Sequence, residues 1–469
     1  MCHSALNRHD LAESVLERAV AACPDQADIA YHLGNARLAR GAPGAALAAY
    51  DLALSWAPDH VSAWHNRGVA LAAMGAPGPA AESFRAVLAR APAHASAAFH
   101  LGRALIALDQ PEAALEVLAQ AARLPHGPAR AVALADHRAI AWMALGDARA
   151  ALAESEAARQ LQPDQPLLAW NAALAHLTLG DFAAGWPLYE SRMALADPAA
   201  PPPPMPALAD LIGRHVLLRA EQGRGDMIQF ARYAPLLAAR RVRVTLAVYP
   251  DLLRLMRHLP GTAVISTEAE EPAHDRSLPL LSLPLLLATR LATIPLPIPY
   301  RPAPASVEFT PGLRHAAIAV SGAPGNAADG ARSIAASAFA PILAVPGWQF
   351  HVLQTALRPA DAAFLRARPT VVDHSATLAD FADTAALLAR MDAVIGVDTA
   401  LIHLAGTLGL AVGVLLAVNA DWRWLRGRDD SPWYPGMRLF RQNRRGIWAE
   451  PITAAAAWLS RLPPAPSRR

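Results

Sequence analysis

The sequence predicts an α-helical repeat solenoid followed by an α/β part made of two consecutive parallel βαβ units. Three observations predict it. Residues 24 to 196 repeat a helix-pair pattern with a period of 34 residues. The run DPAAPPPPMP, Asp197 to Pro206, stops that pattern, because proline has no backbone N–H to continue a helix and makes a semi-rigid spacer instead. Beyond it, short apolar runs alternate with helical ones, the pattern of a parallel sheet.

Composition sets the first limits. The chain has 469 residues, enough for several cores, and is 54% hydrophobic and 17% charged with a net charge of +3. No basic run or basic–aromatic stripe occurs, so a nucleic-acid partner is not expected. Every basic side chain other than histidine is arginine. Any phosphate must therefore be held by guanidinium forks, backbone N–H groups or hydroxyls. Cys2 and Cys23 lack metal or disulfide spacing, which fits a reducing compartment. The first twenty residues lack the apolar core of a signal peptide. The piece LPLLSLPLLLATRLATIPLPIP comes nearest to a membrane span, but its prolines and Arg290 predict buried irregular structure. The expectation is a cytoplasmic protein with no integral membrane segment.

Aligning the chain with itself defines the repeats. Pro24–Ala57, Pro58–Ala91 and Pro92–Pro125 are each 34 residues long, His126–Gln162 is slightly longer, and Pro163–Ala196 is again 34. A small residue (Gly34, Gly68, Gly102, Ala139, Ala173) recurs where two helices must approach closely. Seven positions on comes a turn residue: Gly41, Gly75, Asp109, Gly146 and Gly180. Ala46, Ala80, Ala114 and Ala151 mark the second helix, and residues 8 to 23 read as the second helix of an earlier repeat. This pattern resembles the tetratricopeptide repeat over nearly all of residues 24 to 196, and the resemblance implies a solenoid domain at 1–196. Stacked repeats form a superhelix with a groove, and the resemblance implies a protein or peptide partner there. Asn35, Arg37, Asn66, Arg67, Arg103 and Asn171, on first helices, are the candidate groove residues. A rigid spacer or an oligomerisation surface is the alternative reading.

After the linker at 197–212, the expected strands of the first lobe (213–305) are His215–Ala220, RVRVTLAVY and AVIS. Those of the second lobe (306–462) are HAAIAVSG, WQFHVLQ, AVIGVD and AVGVLL, and 463–469 reads as a disordered tail. Ligands of such sheets bind at the C-terminal strand ends. Two loops leave such ends. In EQGRGDMIQFARY, Gly223 and Gly225 permit close backbone approach, and Asp226 reads equally as a helix cap or a general base. In MDAVIGVDTALIHLAGTLG, Asp398, Thr399, Ala400 and His403 surround one turn, where capping and function are again both open. Convergence of two strand-end loops favours function. The glycines do not form GxGxxG with a ribose-binding acid, so a nicotinamide enzyme is not expected.

With DWRWLRGRDDSPWYPGMRLFRQ added to these two stretches, residues 213 to 448 resemble a bacterial glycosyltransferase of the heptosyltransferase-like GT-B class. More closely, they resemble tetratricopeptide proteins carrying that domain. The resemblance implies a GT-B double Rossmann-like fold, a nucleotide-sugar donor and no metal or other cofactor. It makes Asp226 the general base. Gly223, Gly225, Gly322, Arg332, Ser333, Gln354, Asp398, Thr399, Ala400 and His403 become donor-binding positions. The chain departs from that family in SGAPGNAADGARSI, where the expected Trp and His or Lys are missing while Gly322, Pro324, Asp329, Arg332 and Ser333 remain. A lysine expected after Gln354 is also absent, which leaves Arg358 as the nearest cation. The expected activity is sugar transfer to a hydroxyl of a protein held by the repeats. A non-catalytic peptide-binding scaffold and a lipopolysaccharide-type transferase are the alternatives. The tryptophans of DWRWLRGRDDSPWYP either stack on a ligand or wedge the fold together.

Overall fold

The computed structural model describes residues 9–199, 204–298, 300–304, 307, 309–322 and 332–463. The loop positions Pro324 and Asp329 lie outside the described residues, as does most of the tail. The chain divides into two compact units, Met1–Ala172 and Ala173–Arg469.

The first unit is a succession of helices: α1 (His9–Ala22), α2 (Ala27–Ala39), α3 (Pro43–Trp56), α4 (Val61–Ala73), α5 (Pro77–Arg90), α6 (Ala95–Ala107), α7 (Pro111–Arg123), α8 (Pro128–Ala144) and α9 (Ala148–Leu161). Their ends follow from local chemistry. Proline occupies the first turn of α3, α5, α7 and α8, where its missing N–H would have been unpaired anyway. His60 and His94 accept from the backbone N–H of Ala63 and Ala97 at 3.2 and 3.1 Å, capping α4 and α6. Gly41, Gly75, Asp109 and Gly146 all adopt positive φ, between 59° and 79°, the left-handed step that turns one helix into the next.

The small-residue position works as a packing lock. A Cβ on Gly68 would stand 2.7 Å from the Phe84 ring, and the same crossing pairs Gly34 with Tyr50 and Gly102 with Leu118. In the fourth repeat the lock changes. Ala139 fills the small position, and Ser155 stands where the others have Tyr, Phe or Leu, both fully buried. The fourth crossing therefore carries less side-chain volume than the other three, with a small residue on both helices.

The helix α10 (Pro166–Thr178) carries the unit boundary, and α11 (Phe182–Tyr189) and α12 (Ser191–Ala196) belong to the second unit. Aromatic burial explains that grouping. Phe182, Trp186 and Tyr189 are almost fully buried, and Trp186 lies edge-on to Trp422 at 5.3 Å. The Trp186 indole donates to the Thr289 carbonyl at 3.1 Å.

The second unit holds two wholly parallel sheets. The four-stranded one has the order β3-β2-β1-β4, from β1 (His215–Arg219), β2 (Arg243–Val248), β3 (Thr262–Ser266) and β4 (Arg276–Pro279). Between them lie α13 (Arg224–Phe230), α14 (Tyr233–Ala238) and α15 (Pro250–Met256), and α16 (Leu283–Leu286) follows. The six-stranded sheet runs β10-β9-β8-β5-β6-β7. Its elements in chain order are β5 (Arg314–Ala319), α17 (Ala340–Leu343), β6 (Trp348–Val352), α18 (Pro359–Arg366), β7 (Val371–Asp373) and α19 (Phe381–Leu388). Then come β8 (Ala393–Val397), α20 (Ala400–Thr407), β9 (Val412–Leu416), β10 (Met437–Arg441) and α21 (Ala449–Arg461).

Strands β8 and β9 are buried along their whole length, as expected for parallel strands covered on both faces. All strand pairs run the same way, and the order in which successive strands are added reverses once in each sheet, at β1/β4 and at β5/β8; such switch points open a crevice at the C-terminal strand ends. Strands β4, β7 and β10 are additions to the sequence expectation. The apolar, proline-broken run after β4 forms short turns with Leu280, Leu281 and Leu283 buried. Among the described residues, no helix is long and apolar enough to cross a membrane.

Candidate functional site

A cleft of about 780 Å³ opens at these strand ends, within the second unit. Its walls come from the β1–α13 loop (Gln222, Gly223, Arg224, Gly225, Asp226), the end of β5 (Ser321, Gly322, Arg332), the end of β6 (Gln354) and the β8–α20 turn (Asp398, Thr399, Ala400, His403). The two loops singled out in the sequence thus line one space. A Cβ on Gly225 would lie 2.9 Å from His403 Cδ2 and 3.6 Å from Ala400 Cα. Only glycine lets the two loops approach this closely.

Asp226 takes the acid's part in a capping box at the start of α13, as the cap reading expected. It sits inside the first turn, and its Oδ2 accepts the Gly223 N–H at 2.8 Å. Its Oδ1 pairs with the Arg423 guanidinium. Arg423 is buried, also pairs with Asp421 at 2.8 Å, and lies over the Trp422 ring at 4.4 Å. Burial opposes its charge, but Asp226 and Asp421 more than compensate and raise its pKa further. Arg423 and Asp421 both line the cleft, and sequence reasoning missed them. Their only signal was a cation set between two tryptophans in DWRW.

On the opposite wall, Asp398 lies 3.5 Å from His403 Nε2, while His403 Nδ1 meets the Tyr434 hydroxyl at 2.9 Å. Burial alone would raise the Asp398 pKa, but hydrogen bonding and charge from His403, with Trp424 and Arg332, hold it below the ordinary value. Thr399 is the N-cap residue of α20 without a side-chain cap bond, and its buried hydroxyl has no partner among the described residues. A buried unpaired hydroxyl beside a helix N-terminus is suited to an anionic ligand.

Other expected donor positions have structural partners. Gln354 accepts from Val320 N at 2.7 Å and donates to the Ser321 carbonyl, tying the ends of β5 and β6. Ser333 Oγ accepts the Gly322 N–H at 3.2 Å. Arg358 pairs with Asp361 and the Ile334 carbonyl and is not in the cleft wall. The tryptophans of DWRWLRGRDDSPWYP are wedges: Trp422, Trp424 and Trp433 are buried. Gln222, at the cleft lip, has φ of 60°. It is held by its side chain donating to Tyr189 Oη at 2.8 Å and its carbonyl accepting from Tyr249 at 2.6 Å.

In the first unit the candidate groove residues make local contacts. Arg37 pairs with Glu13 at 3.0 Å and Glu17 at 2.7 Å, and Arg67 with Asp51 at 2.7 Å. Asn35 Oδ1 accepts from Tyr50 at 2.9 Å and from Asn66 at 2.7 Å, and Asn171 donates to Asp136 at 2.6 Å. Arg103 is exposed and lies 5.9 Å from the Phe99 ring.

Comparison with known proteins follows the same division. Residues 3–61 and 65–128 match the tetratricopeptide repeat family. The N-terminal region is therefore built of tetratricopeptide repeats. Protein FlbA of Caulobacter vibrioides is 30% identical over 365 residues, which is 68% of this chain and 60% of that protein. The chain thus spans about 60% of the length of that relative. Among solved structures, YrrB, described as a TPR protein with an unusual peptide-binding site, aligns with 19% identity and a TM-score of 0.35, over 40% of this chain and 95% of YrrB. TTC0263, a thermophilic TPR protein of Thermus thermophilus, aligns at 24% identity and a TM-score of 0.30, over 37% of this chain and 92% of that one.

Proposed function

We propose that the second unit is a GT-B-type glycosyltransferase that moves a sugar from a nucleotide-activated donor to a hydroxyl of a protein acceptor recruited by the repeats. The observation that carries this reading is the meeting of Gly225–Asp226 and Asp398–Thr399–His403 across one cleft at the ends of two parallel sheets. Transfer needs a base and an anion site. The acceptor oxygen bonds to the anomeric carbon as the carbon–phosphate-oxygen bond breaks. The hydroxyl proton passes to Asp226, and the leaving diphosphate takes the bonding electrons. The α20 N-terminus, the Thr399 hydroxyl and Arg332 stabilise that growing charge. Asp398 repels phosphate, so its role is to orient His403 toward the ligand.

Tyr31 and His65, half-buried rings at one position of successive first helices, support a peptide acceptor, while Phe99 at the third such position is buried. One observation favours a second reading, the peptide-binding scaffold. Both Asp226 oxygens are already engaged, one of them by a buried arginine. Incubation with a panel of activated sugars separates the two. A transferase binds one of them in a thermal-shift screen, and its product formation disappears in Asp226→Ala. Persistence of product in that variant removes the base assignment, and absence of any binding supports the scaffold.

A further inference from the structure

The loop that delivers Arg423 to the cleft carries a second feature that the cleft does not use. Arg426 and Arg441 are both anchored to this loop by backbone carbonyls. Arg426 Nη1 donates to Val418 O, and Arg441 donates through Nη2 to Trp424 O and through Nε to Arg428 O at 3.0 Å. What remains of the two forks has no partner: Arg426 Nε and Nη2 and Arg441 Nη1 are buried without a hydrogen bond among the described residues. Neither guanidinium has a carboxylate among those residues. The acids nearest in sequence are taken, Asp430 by Arg428 at 2.7 Å and Asp429 by Arg438 at 2.6 Å. Neither arginine belongs to the cleft wall. Leu425, between Arg423 and Arg426, has φ of 53°, so this loop is held in a shape that a non-glycine residue rarely takes.

Arg441 is bonded to the Trp424 and Arg428 carbonyls, which flank Arg426 in the chain, so two partly buried like charges without a counter-charge share one loop, an unfavourable arrangement. Burial depresses the Arg426 pKa, and burial followed by Arg426 and Arg428 pushes Arg441 down to about 10. Both remain cationic at neutral pH, so the loop holds uncompensated charge beside buried N–H groups.

We propose that Arg426 and Arg441 form an anion site, separate from the cleft, that takes a phosphoryl group. A phosphoryl group brings nearly two negative charges and several acceptor oxygens to two forks, whereas a carboxylate brings one charge. Occupation cancels the repulsion and fixes the loop from Asp421 to Arg428, which also carries Arg423 and its partner acid. The inference does not depend on the glycosyltransferase reading, because neither arginine touches the cleft.

The test uses the full chain in sodium phosphate against sodium chloride at matched ionic strength, with melting temperature and 31P line width as readouts. Wild type is expected to melt several degrees higher at tens of millimolar phosphate and to broaden the phosphate resonance. Arg426→Met is expected to lose most of both responses, keeping only what the cleft contributes, and to melt in chloride no lower than wild type, since a buried uncompensated charge is gone. Arg426→Lys keeps the charge and loses the fork, and should bind phosphate at least tenfold more weakly. It decides the matter should Arg426→Met not fold. Thr399→Val, a cleft substitution, should keep the part of the response that Arg426→Met removes, as a Thr399→Val, Arg426→Met double variant shows by difference. A parallel titration with a nucleoside diphosphate separates a free ion from the phosphoryl end of a larger molecule, by which of the two binds more tightly in an Arg426-dependent way. No melting difference between phosphate and chloride in wild type overturns the proposal. So does a response that Arg426→Met and Arg426→Lys retain in full, or that Thr399→Val abolishes.

Discussion

Asp226 accepts from Gly223 with one oxygen and from Arg423 with the other, so it arrives at the cleft already aimed. Each carboxylate oxygen has a further lone pair, which leaves room for an acceptor hydroxyl. Asp226→Asn keeps a carbonyl-type oxygen for the Gly223 N–H and leaves Arg423 paired with Asp421. The expected outcome is a folded protein, less stable by about 1–3 kcal/mol for the weakened pairing. Transfer activity should fall by about 10²–10⁴-fold. A denaturation curve and a turnover assay on one preparation check both halves. Gly225→Ala acts differently, because its new methyl must displace His403. It should cost about 1–3 kcal/mol by overpacking and weaken donor binding, read by titration with the donor that wild type binds. Much of this wall was legible in the sequence, since the GRGD and VDTA turns stand at strand ends. Arg423 was not. It lies 197 positions from its partner Asp226, and no local spacing connects the two. The tryptophans on either side also point a sequence reader toward packing rather than charge.

Among the elements, the repeat helices were the most legible because one physical requirement recurs at a fixed interval. A small residue must pass close to the facing helix, and a left-handed residue must follow seven positions later. Gly75 has φ of 73° with open space around its Cα, so Gly75→Ala tests backbone conformation alone and should cost about 1 kcal/mol. Gly68→Ala tests packing at a point 2.7 Å from Phe84, and should cost more, about 1–3 kcal/mol. Urea denaturation of the pair shows whether conformation or packing dominates the repeat. The strands missed from sequence share a different feature. β4 is RSLP and β7 is VVD, each too short to show a pattern, and β10, MRLFR, carries two arginines without strict alternation beside an aromatic-rich run. Sheet membership for these is set by neighbours: among the described strands β10 pairs with β9, β7 with β6 and β4 with β1, each at a sheet edge. Tertiary pairing of that kind leaves little trace in propensity.

For the whole molecule, buried imidazoles link both units to pH. Burial and then neighbouring cations or imidazoles lower His65 to about 4 and His100 to about 3 in the first unit. In the second unit, burial followed by His374 and His315 lowers His351 to about 3. The three second-unit rings form a chain: His315 Nδ1 meets His351 Nε2 at 3.0 Å, and His351 Nδ1 meets His374 Nε2 at 2.9 Å. These groups are neutral when folded and bind protons in the unfolded chain below the ordinary histidine value of about 6.5. Unfolding therefore takes up protons, and stability falls as pH drops from about 6.5 toward 3, with little histidine effect above 7. Chemical denaturation from pH 7.5 to 4.5 should show a steady loss, and His351→Gln should flatten part of the slope.

The central claim is that the cleft at the two sets of strand ends holds a donor's diphosphate on the Thr399 turn. Calorimetric titration of wild type and Thr399→Val with a panel of nucleoside diphosphates and their sugar conjugates tests it most directly. The account predicts saturable binding of at least one of them at the cleft, weakened tenfold or more by removal of the Thr399 hydroxyl and measured in an Arg426→Met background so that the second anion site does not contribute. Binding of equal strength in the variant, or no binding by any of them to wild type, would contradict it.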